Sequence, residues 1–189
     1  MTPGEVLKPS LIGAAALLVV AASLYAAPGI AGLAGAGLGL IMLAVAVVDA
    51  RLLMIPDELS ALAVALGLAD VGFERWRDMP APALDALIRA AATAAVFFAF
   101  RLAYRRLRGR EGMGLGDVKL AGVAGIWLDW PGLPIAVEIA ALGTLGFVAW
   151  RLIGARRAPD PSAKLPFGAF FAPAIWMCWL TERWWDWTV

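Results

Sequence analysis

The feature that most limits how this chain can fold is a series of apolar runs with few charged side chains inside them. The run Ile30–Val48 contains no charged residue and is long enough for a helix that crosses a bilayer. Across the chain, 62% of residues are hydrophobic and 16% are charged, an apolar share well above that of soluble domains. The sequence therefore predicts an all-α polytopic membrane protein, because only helices or closed barrels satisfy the backbone in lipid.

The apolar runs predict about seven transmembrane helices, which form one membrane-embedded domain over residues 1–189. The runs are Leu11–Ala27, Ile30–Val48, Leu59–Phe73, Leu84–Tyr104, Val118–Trp130, Leu133–Ile153 and Leu165–Leu180. The first run could also be a cleaved signal peptide, but the basic region before it is weak and small residues continue beyond it. We expect a retained N-terminal span followed by a six-helix core.

Basic residues in the connectors predict the orientation of the chain. With the N-terminus in the cytoplasm, the cytoplasmic side receives Arg51, Arg105, Arg106, Arg108, Arg110, Arg156, Arg157 and Lys164. The opposite side receives Arg75, Arg77 and Arg183. This orientation places Asp49, after the second run, and Asp117, before the fifth run, at one depth on the cytoplasmic side.

The composition also limits the chemistry. The sequence has no histidine and a single cysteine, Cys178, which excludes Ser-His hydrolases, thiolate zinc sites and an internal disulfide within these residues. A net charge of +1 argues against a nucleic-acid partner. We expect no metal and no cofactor, so that any catalysis rests on carboxylates, lysine, hydroxyl groups or the backbone.

Asp117 follows glycines at alternate positions, in the stretch GMGLGDVKL that starts at Gly112. An acid at the mouth of a membrane segment is costly unless something uses it, and glycine lets another chain approach closely. Two carboxyl groups within hydrogen-bonding reach share a proton, so that one activates water while the other polarises a carbonyl group. Asp49 and Asp117 are therefore candidate catalytic acids.

Other interpretations stay open from the residues alone. A single aspartate at a helix end is usually a cap or a solvated residue, which suits Asp57 after Pro56. Asp70 and Arg89 lie near ends of predicted spans and are expected at the membrane interfaces. Acids at one depth would also suit a proton- or cation-coupled transporter, although no internal repeat is visible.

Three elements resemble the type IV prepilin peptidases, which are polytopic aspartic proteases of bacterial membranes. The stretch from Gly114 to Leu120 resembles their GxGD motif. Asp49 with Pro56-Asp57 matches their pattern of an acid, six residues, then Pro and Asp or Asn, which implies that Asp49 rather than Asp57 is catalytic. The third element, Pro-Phe-Gly at 166–168, opens a late helix in the family. The resemblance covers about residues 40–180.

The resemblance implies endoproteolysis of a prepilin or pseudopilin precursor at the cytoplasmic face of the bacterial inner membrane. Asp49 and Asp117 would be the catalytic residues. The residues that shape the site or bind substrate would be Gly114, Gly116, Lys119, Pro166, Phe167 and Gly168. Lys119 would either snorkel or influence Asp117, and the basic run at 105–110 would bind anionic membrane lipids. The oligomeric state is not predicted.

The resemblance is to the short, peptidase-only form of the family, because the paired Cys-x-x-Cys motifs of longer members do not occur in this sequence. A presenilin-type protease would share the GxGD string but not the other two elements. An inactive scaffold for pilus assembly would not require both Asp49 and Asp117.

Overall fold

The computed structural model describes residues 8–74, 81–109, 112–155 and 165–188, which form seven α-helices and no strand. The helices are α1 (Pro9–Ala26), α2 (Ile30–Leu52), α3 (Asp57–Glu74), α4 (Ala81–Arg108), α5 (Leu115–Trp127), α6 (Gly132–Ala155) and α7 (Phe167–Thr188). The predicted all-α class is confirmed, and each predicted apolar run falls mostly within one helix. Predicted connector residues outside the described ranges include Arg75, Arg77, Arg110, Arg156, Arg157 and Lys164.

Four of the described helices are long and apolar enough to cross a bilayer. They are α1, α2, α4 from Pro82 onward, and α6 up to Ile153. The chain is therefore a multi-pass membrane protein. The other three helices, α3, α5 and α7, do not meet these criteria of length and composition within the described residues, and their crossing of the membrane stays a prediction.

The connector between α2 and α3 is short and sharply bent. Leu53 adopts the left-handed conformation (φ 54°, ψ 39°) and donates its backbone N–H to the carbonyl oxygen of Asp49 at 2.9 Å. A residue in the left-handed conformation cannot continue a right-handed helix, so α2 ends at Leu52 even though this conformation is unfavourable for a residue with a Cβ atom. Pro56 then disfavours helical geometry at Ile55, and α3 begins at Asp57.

The core lies around α7, which packs against both α2 and α5. Among the described residues, these helices contribute most of the largest fully buried side chains, which include Leu38, Met42, Val45, Leu120, Val123, Phe171, Ile175 and Trp179. Around this centre, α1 and α3 pack against α2, α4 packs against α5, and α6 packs against α7. The arrangement fixes the ends of α2, α5 and α7 relative to one another.

Small residues allow these helices to approach closely, as expected for packing in lipid. A Cβ atom built on Gly35 of α2 would lie 1.9 Å from Cη2 of Trp179 in α7. A Cβ atom on Gly125 of α5 would lie 2.4 Å from the backbone of Ala90 in α4. Any side chain at either position would push the two helices apart.

A network of ion pairs joins the helices at the end of the bundle where α5 finishes. Arg89, 8% exposed, donates from Nε to the carbonyl oxygen of Gly125 at 3.2 Å and forms ion pairs with Asp85 and Asp129. Asp70, 5% exposed, accepts a hydrogen bond from Arg183. The expected position of Asp70 and Arg89 at the membrane interfaces stays a prediction. The structure adds that both are buried against charged partners, which are Arg183 of α7 for Asp70 and Asp85 and Asp129 for Arg89. A cavity of about 150 Å³ lies among these residues.

Candidate active site

Asp49 lies in the last turn of α2, with 6% of its surface exposed. Its Oδ2 atom accepts a hydrogen bond from the backbone N–H of Ala169 at 2.8 Å, and the backbone N–H of Gly168 also donates to the carboxyl group. Both donors belong to the first turn of α7, where N–H groups have no partner inside the helix and favour a negative charge. The start of α7 thus offsets part of the cost of burying this carboxyl group.

The segment at 166–168 explains why α7 can approach Asp49 so closely. Pro166 immediately precedes the first helical residue, a place where its missing N–H costs no helical hydrogen bond. A Cβ atom on Gly168 would lie 3.0 Å from Oδ2 of Asp49, so that only glycine leaves the carboxyl group in its observed place. The ring of Phe167 packs against that of Phe171, with 5.3 Å between the ring centroids. The structure therefore places Gly168 against Asp49, with Pro166 and Phe167 immediately before it in the chain.

Asp117 lies in the first turn of α5. Its Oδ2 atom accepts a hydrogen bond from the backbone N–H of Gly114 at 3.1 Å, and Gly114 is the residue that caps the helix. This contact is the acidic half of a capping box, whose other half requires a side chain that glycine lacks. Because α5 starts at Leu115, both Gly116 and Asp117 are helical rather than part of a loop.

Ile55 links the surroundings of the two acids. A Cβ atom on Gly116 would lie 2.9 Å from Cβ of Ile55, and one on Gly168 would lie 2.8 Å from Cδ1 of the same side chain. Gly116 precedes Asp117 in the chain, while Gly168 donates to Asp49. The structure therefore brings Asp49 and Asp117 to one end of the bundle, with Ile55 in contact with a glycine beside each acid. No motif or periodicity in the sequence indicated this role for Ile55.

Lys119 makes a contact that the sequence did not indicate. Its Nζ atom donates a hydrogen bond to Oδ1 of Asp57, the first residue of α3, and both side chains are partly exposed. Asp57 therefore connects α3 to α5 rather than acting only as a local cap. The structure therefore gives Lys119 a partner on α3, and whether it also snorkels to a membrane interface stays a prediction.

The arrangement suits acid-base chemistry by carboxyl groups. In the described parts of the chain, no group of three or more acids or cysteines is placed to hold a metal ion. Asp49 and Asp117 supply one carboxyl group that can accept a proton and one that can donate it, provided that they share a proton. Such a pair can activate a water molecule and polarise the carbonyl group that the water attacks.

Comparison with known proteins identifies a family model and relatives that the chain matches. The family model described as the type IV leader peptidase family matches residues 36–149, a segment that contains Asp49, Ile55 and Asp117. The chain is 34% identical over 162 residues to the prepilin leader peptidase/N-methyltransferase of Aeromonas hydrophila, which covers 86% of this chain and 54% of that protein.

Two further relatives carry the same name. The protein of Burkholderia pseudomallei (strain K96243) is 34% identical over 164 residues, covering 85% of this chain and 50% of the relative. The protein of Pseudomonas aeruginosa is 32% identical over 138 residues, covering 72% of this chain and 45% of the relative. The chain thus spans about half the length of the curated relatives that it matches. No solved structure matches the chain.

Proposed function

Because this chain belongs to the type IV leader peptidase family, we propose that it is a membrane aspartic endopeptidase that removes the leader from a prepilin or pseudopilin precursor. The observation that carries the proposal is the convergence of Asp49 and Asp117 on either side of Ile55. The transporter interpretation gains no support from the relatives, which are named peptidases. We further propose that residues 1–189 form one membrane-embedded peptidase domain, since the described helices share one core.

The reaction requires one carboxylate and one carboxylic acid. The carboxylate takes a proton from water as the water oxygen attacks the peptide carbonyl carbon, and the acid donates its proton to the carbonyl oxygen. The tetrahedral intermediate then collapses: the C–N bond breaks as the leaving amine takes a proton from the pair, and a hydroxyl group of the intermediate returns a proton to the pair. This regenerates one carboxylate and one carboxylic acid. Asp49 and Asp117 supply both carboxyl groups, and the products are the leader with a free carboxylate and the mature protein with a free amine.

Glycine residues next to the acids have two different roles in this proposal. Gly116 and Gly168 make room for Ile55. Gly114 is exposed, and a Cβ atom there would meet only ordinary contacts, the nearest being Oδ2 of Asp117 at 3.4 Å. The open space at Gly114 is therefore where an extended substrate backbone would pass beside Asp117.

The cytoplasmic edge of the bacterial inner membrane is the proposed location of the site, with the N-terminus in the cytoplasm. Exposed basic residues, Arg105, Arg106 and Arg108, occupy the last turn of α4, and Tyr104 of the same turn contacts Gly112 just before α5. This basic end therefore lies beside the acids, and the positive-inside rule assigns it to the cytoplasm. The same arginines are suited to anionic lipid headgroups.

A cleavage assay tests the proposed function. The chain is co-expressed with prepilins encoded near its gene, and the mass of the pilin N-terminal segment is measured. Wild type should shorten a precursor by the leader, whereas Asp49→Asn and Asp117→Asn should each abolish the shift while the protein still inserts. Glu138→Gln removes an exposed acid on α6 and serves as the matched control. Substantial cleavage by either Asn variant, or none by wild type with any of these pilins, contradicts the proposal.

A further inference from the structure

The connector at residues 53–56 contains one buried side chain, Ile55, which follows two exposed side chains and precedes a proline. Ile55 is 9% exposed, whereas Leu53 and Met54 are 46% and 58% exposed. We propose that Ile55 is a positioning residue that sets the separation between the starts of α5 and α7, and thereby between Asp117 and Asp49. This inference rests on the proposed function of the two acids.

Two contacts of Ile55 are with the backbone at glycine positions, and its side chain also belongs to the buried hydrophobic cluster. It packs against Gly116 through Cβ and against Gly168 through Cδ1, at places where a Cβ atom would come within 2.9 Å and 2.8 Å respectively. Because both glycines lack side chains, the width of one isoleucine separates the two helix starts directly. Removing its outer carbon atoms would leave unfilled space there, and enlarging it would push the helix starts apart.

The connector is itself held at both ends, so Ile55 has a fixed position. On one side, the N–H of Leu53 bonds to the carbonyl oxygen of Asp49, the residue that Ile55 helps to place. On the other side, Asp57 is paired with Lys119, two residues beyond Asp117 in α5. The connector thus contacts the helices of both acids, and Ile55 lies between them.

Ile55 carries no group that can transfer a proton, so its effect on the reaction would come through geometry. A displacement of about 1 Å in a reacting group can lower a rate by about a hundredfold. Changing the size of residue 55 should therefore lower kcat and leave KM nearly unchanged, because the surface that binds the precursor is not altered. A change to valine keeps Cβ against Gly116 but removes Cδ1, which contacts Gly168, so its effect should be intermediate.

A size series at position 55 tests the proposal with two readouts. The Ile55→Val, Ile55→Ala and Ile55→Phe variants are assayed on a purified precursor for kcat and KM. In parallel, nitroxide labels on cysteines replacing the exposed residues Leu115 and Leu165 report the distance between the starts of α5 and α7 without substrate. Cys178 is 3% exposed and stays in place, with unsubstituted protein as the labelling control.

The alanine and phenylalanine variants should shift or broaden the label distance and lower kcat about 10- to 100-fold, with KM within about threefold of wild type. The valine variant, which loses only Cδ1, should fall between wild type and the alanine variant in both measurements. An unchanged label distance in the alanine variant overturns the proposal, as does a rise in KM with unchanged kcat, which would make Ile55 a substrate contact. If wild type cleaves no precursor, the proposed function fails, and the label distances still decide whether Ile55 sets the spacing.

Discussion

The change Gly168→Ala tests whether the start of α7 holds Asp49 in place. The added Cβ atom would lie 2.8 Å from Cδ1 of Ile55 and 3.0 Å and 3.1 Å from Oδ2 and Cγ of Asp49. Nonbonded atoms prefer separations of about 3.5–4.0 Å, so the carboxyl group or the helix must move by about 0.5–1 Å. Because Ile55 blocks one direction, we expect Asp49 to leave its position against α7.

The size of the effect follows from the bond that would be lost. The carboxyl group accepts from the N–H of Ala169 at 2.8 Å, and a shift of this size makes that bond too long to count as a hydrogen bond. A hydrogen bond to a charged group contributes about 1.5–3 kcal/mol. Since about 1.4 kcal/mol corresponds to a factor of ten in rate, kcat should fall about 10- to 150-fold.

Precursor cleavage at saturating substrate measures this loss, with membrane level and thermal unfolding in detergent as checks on folding. Gly122→Ala in α5 is the matched control, because its Cβ atom would meet only ordinary contacts, 3.8 Å from Cβ of Ala94 and 3.9 Å from the carbonyl oxygen of Ala90. Wild-type kcat in Gly168→Ala, or an equal loss in both variants, would refute the reasoning.

Three further predictions concern the surrounding contacts. Lys119→Asp and Asp57→Lys should each lower kcat by up to about fivefold, since an exposed ion pair contributes at most about 1 kcal/mol. Combining the two changes in one protein restores a pair of opposite charges and should recover most of the lost kcat. Gly35→Ala should lower the free energy of unfolding by about 1–3 kcal/mol, measured by thermal unfolding in detergent, because its Cβ atom would overlap the ring of Trp179. Arg89→Met should lower the free energy of unfolding by a similar amount, because it removes the donor to a backbone carbonyl oxygen and two ion pairs. Precursor cleavage at low temperature should persist in this variant.

Much of the fold could be predicted from the sequence because apolar runs and turns mark helices in lipid. The predicted ends of the helices were less accurate at polar residues. The second apolar run ends at Val48, but the helical hydrogen bonds of α2 continue through Asp49 to Leu52. Hydropathy reports where a chain leaves the hydrocarbon, whereas a helix ends where its hydrogen bonds end. This difference places Asp49 on a rigid helix rather than in a loop.

The candidate site could be predicted only where it is local in sequence. The acids and glycines were identified through motifs, but the pairing of Lys119 with Asp57 joins residues 62 positions apart, and nothing local indicates it. Ile55 is one apolar residue in a connector, with no periodicity to mark it as buried. Likewise, the burial of Asp70 and Arg89 depends on partners from other helices, which hydropathy along the chain cannot show.

The shortness of α5 has a consequence for the bilayer around it. Its 13 residues extend about 20 Å, with Asp117 at one end and the ion-pair cavity near Trp127 at the other. The hydrocarbon core of a bilayer is about 30 Å thick, while the 28 residues of α4 extend about 42 Å. Along its axis, α5 is therefore shorter than the hydrocarbon core, and α4 is longer. We expect the bilayer to adapt locally to α5, so that the rate of the proposed cleavage should depend on the acyl-chain length of the lipid in which the protein is reconstituted.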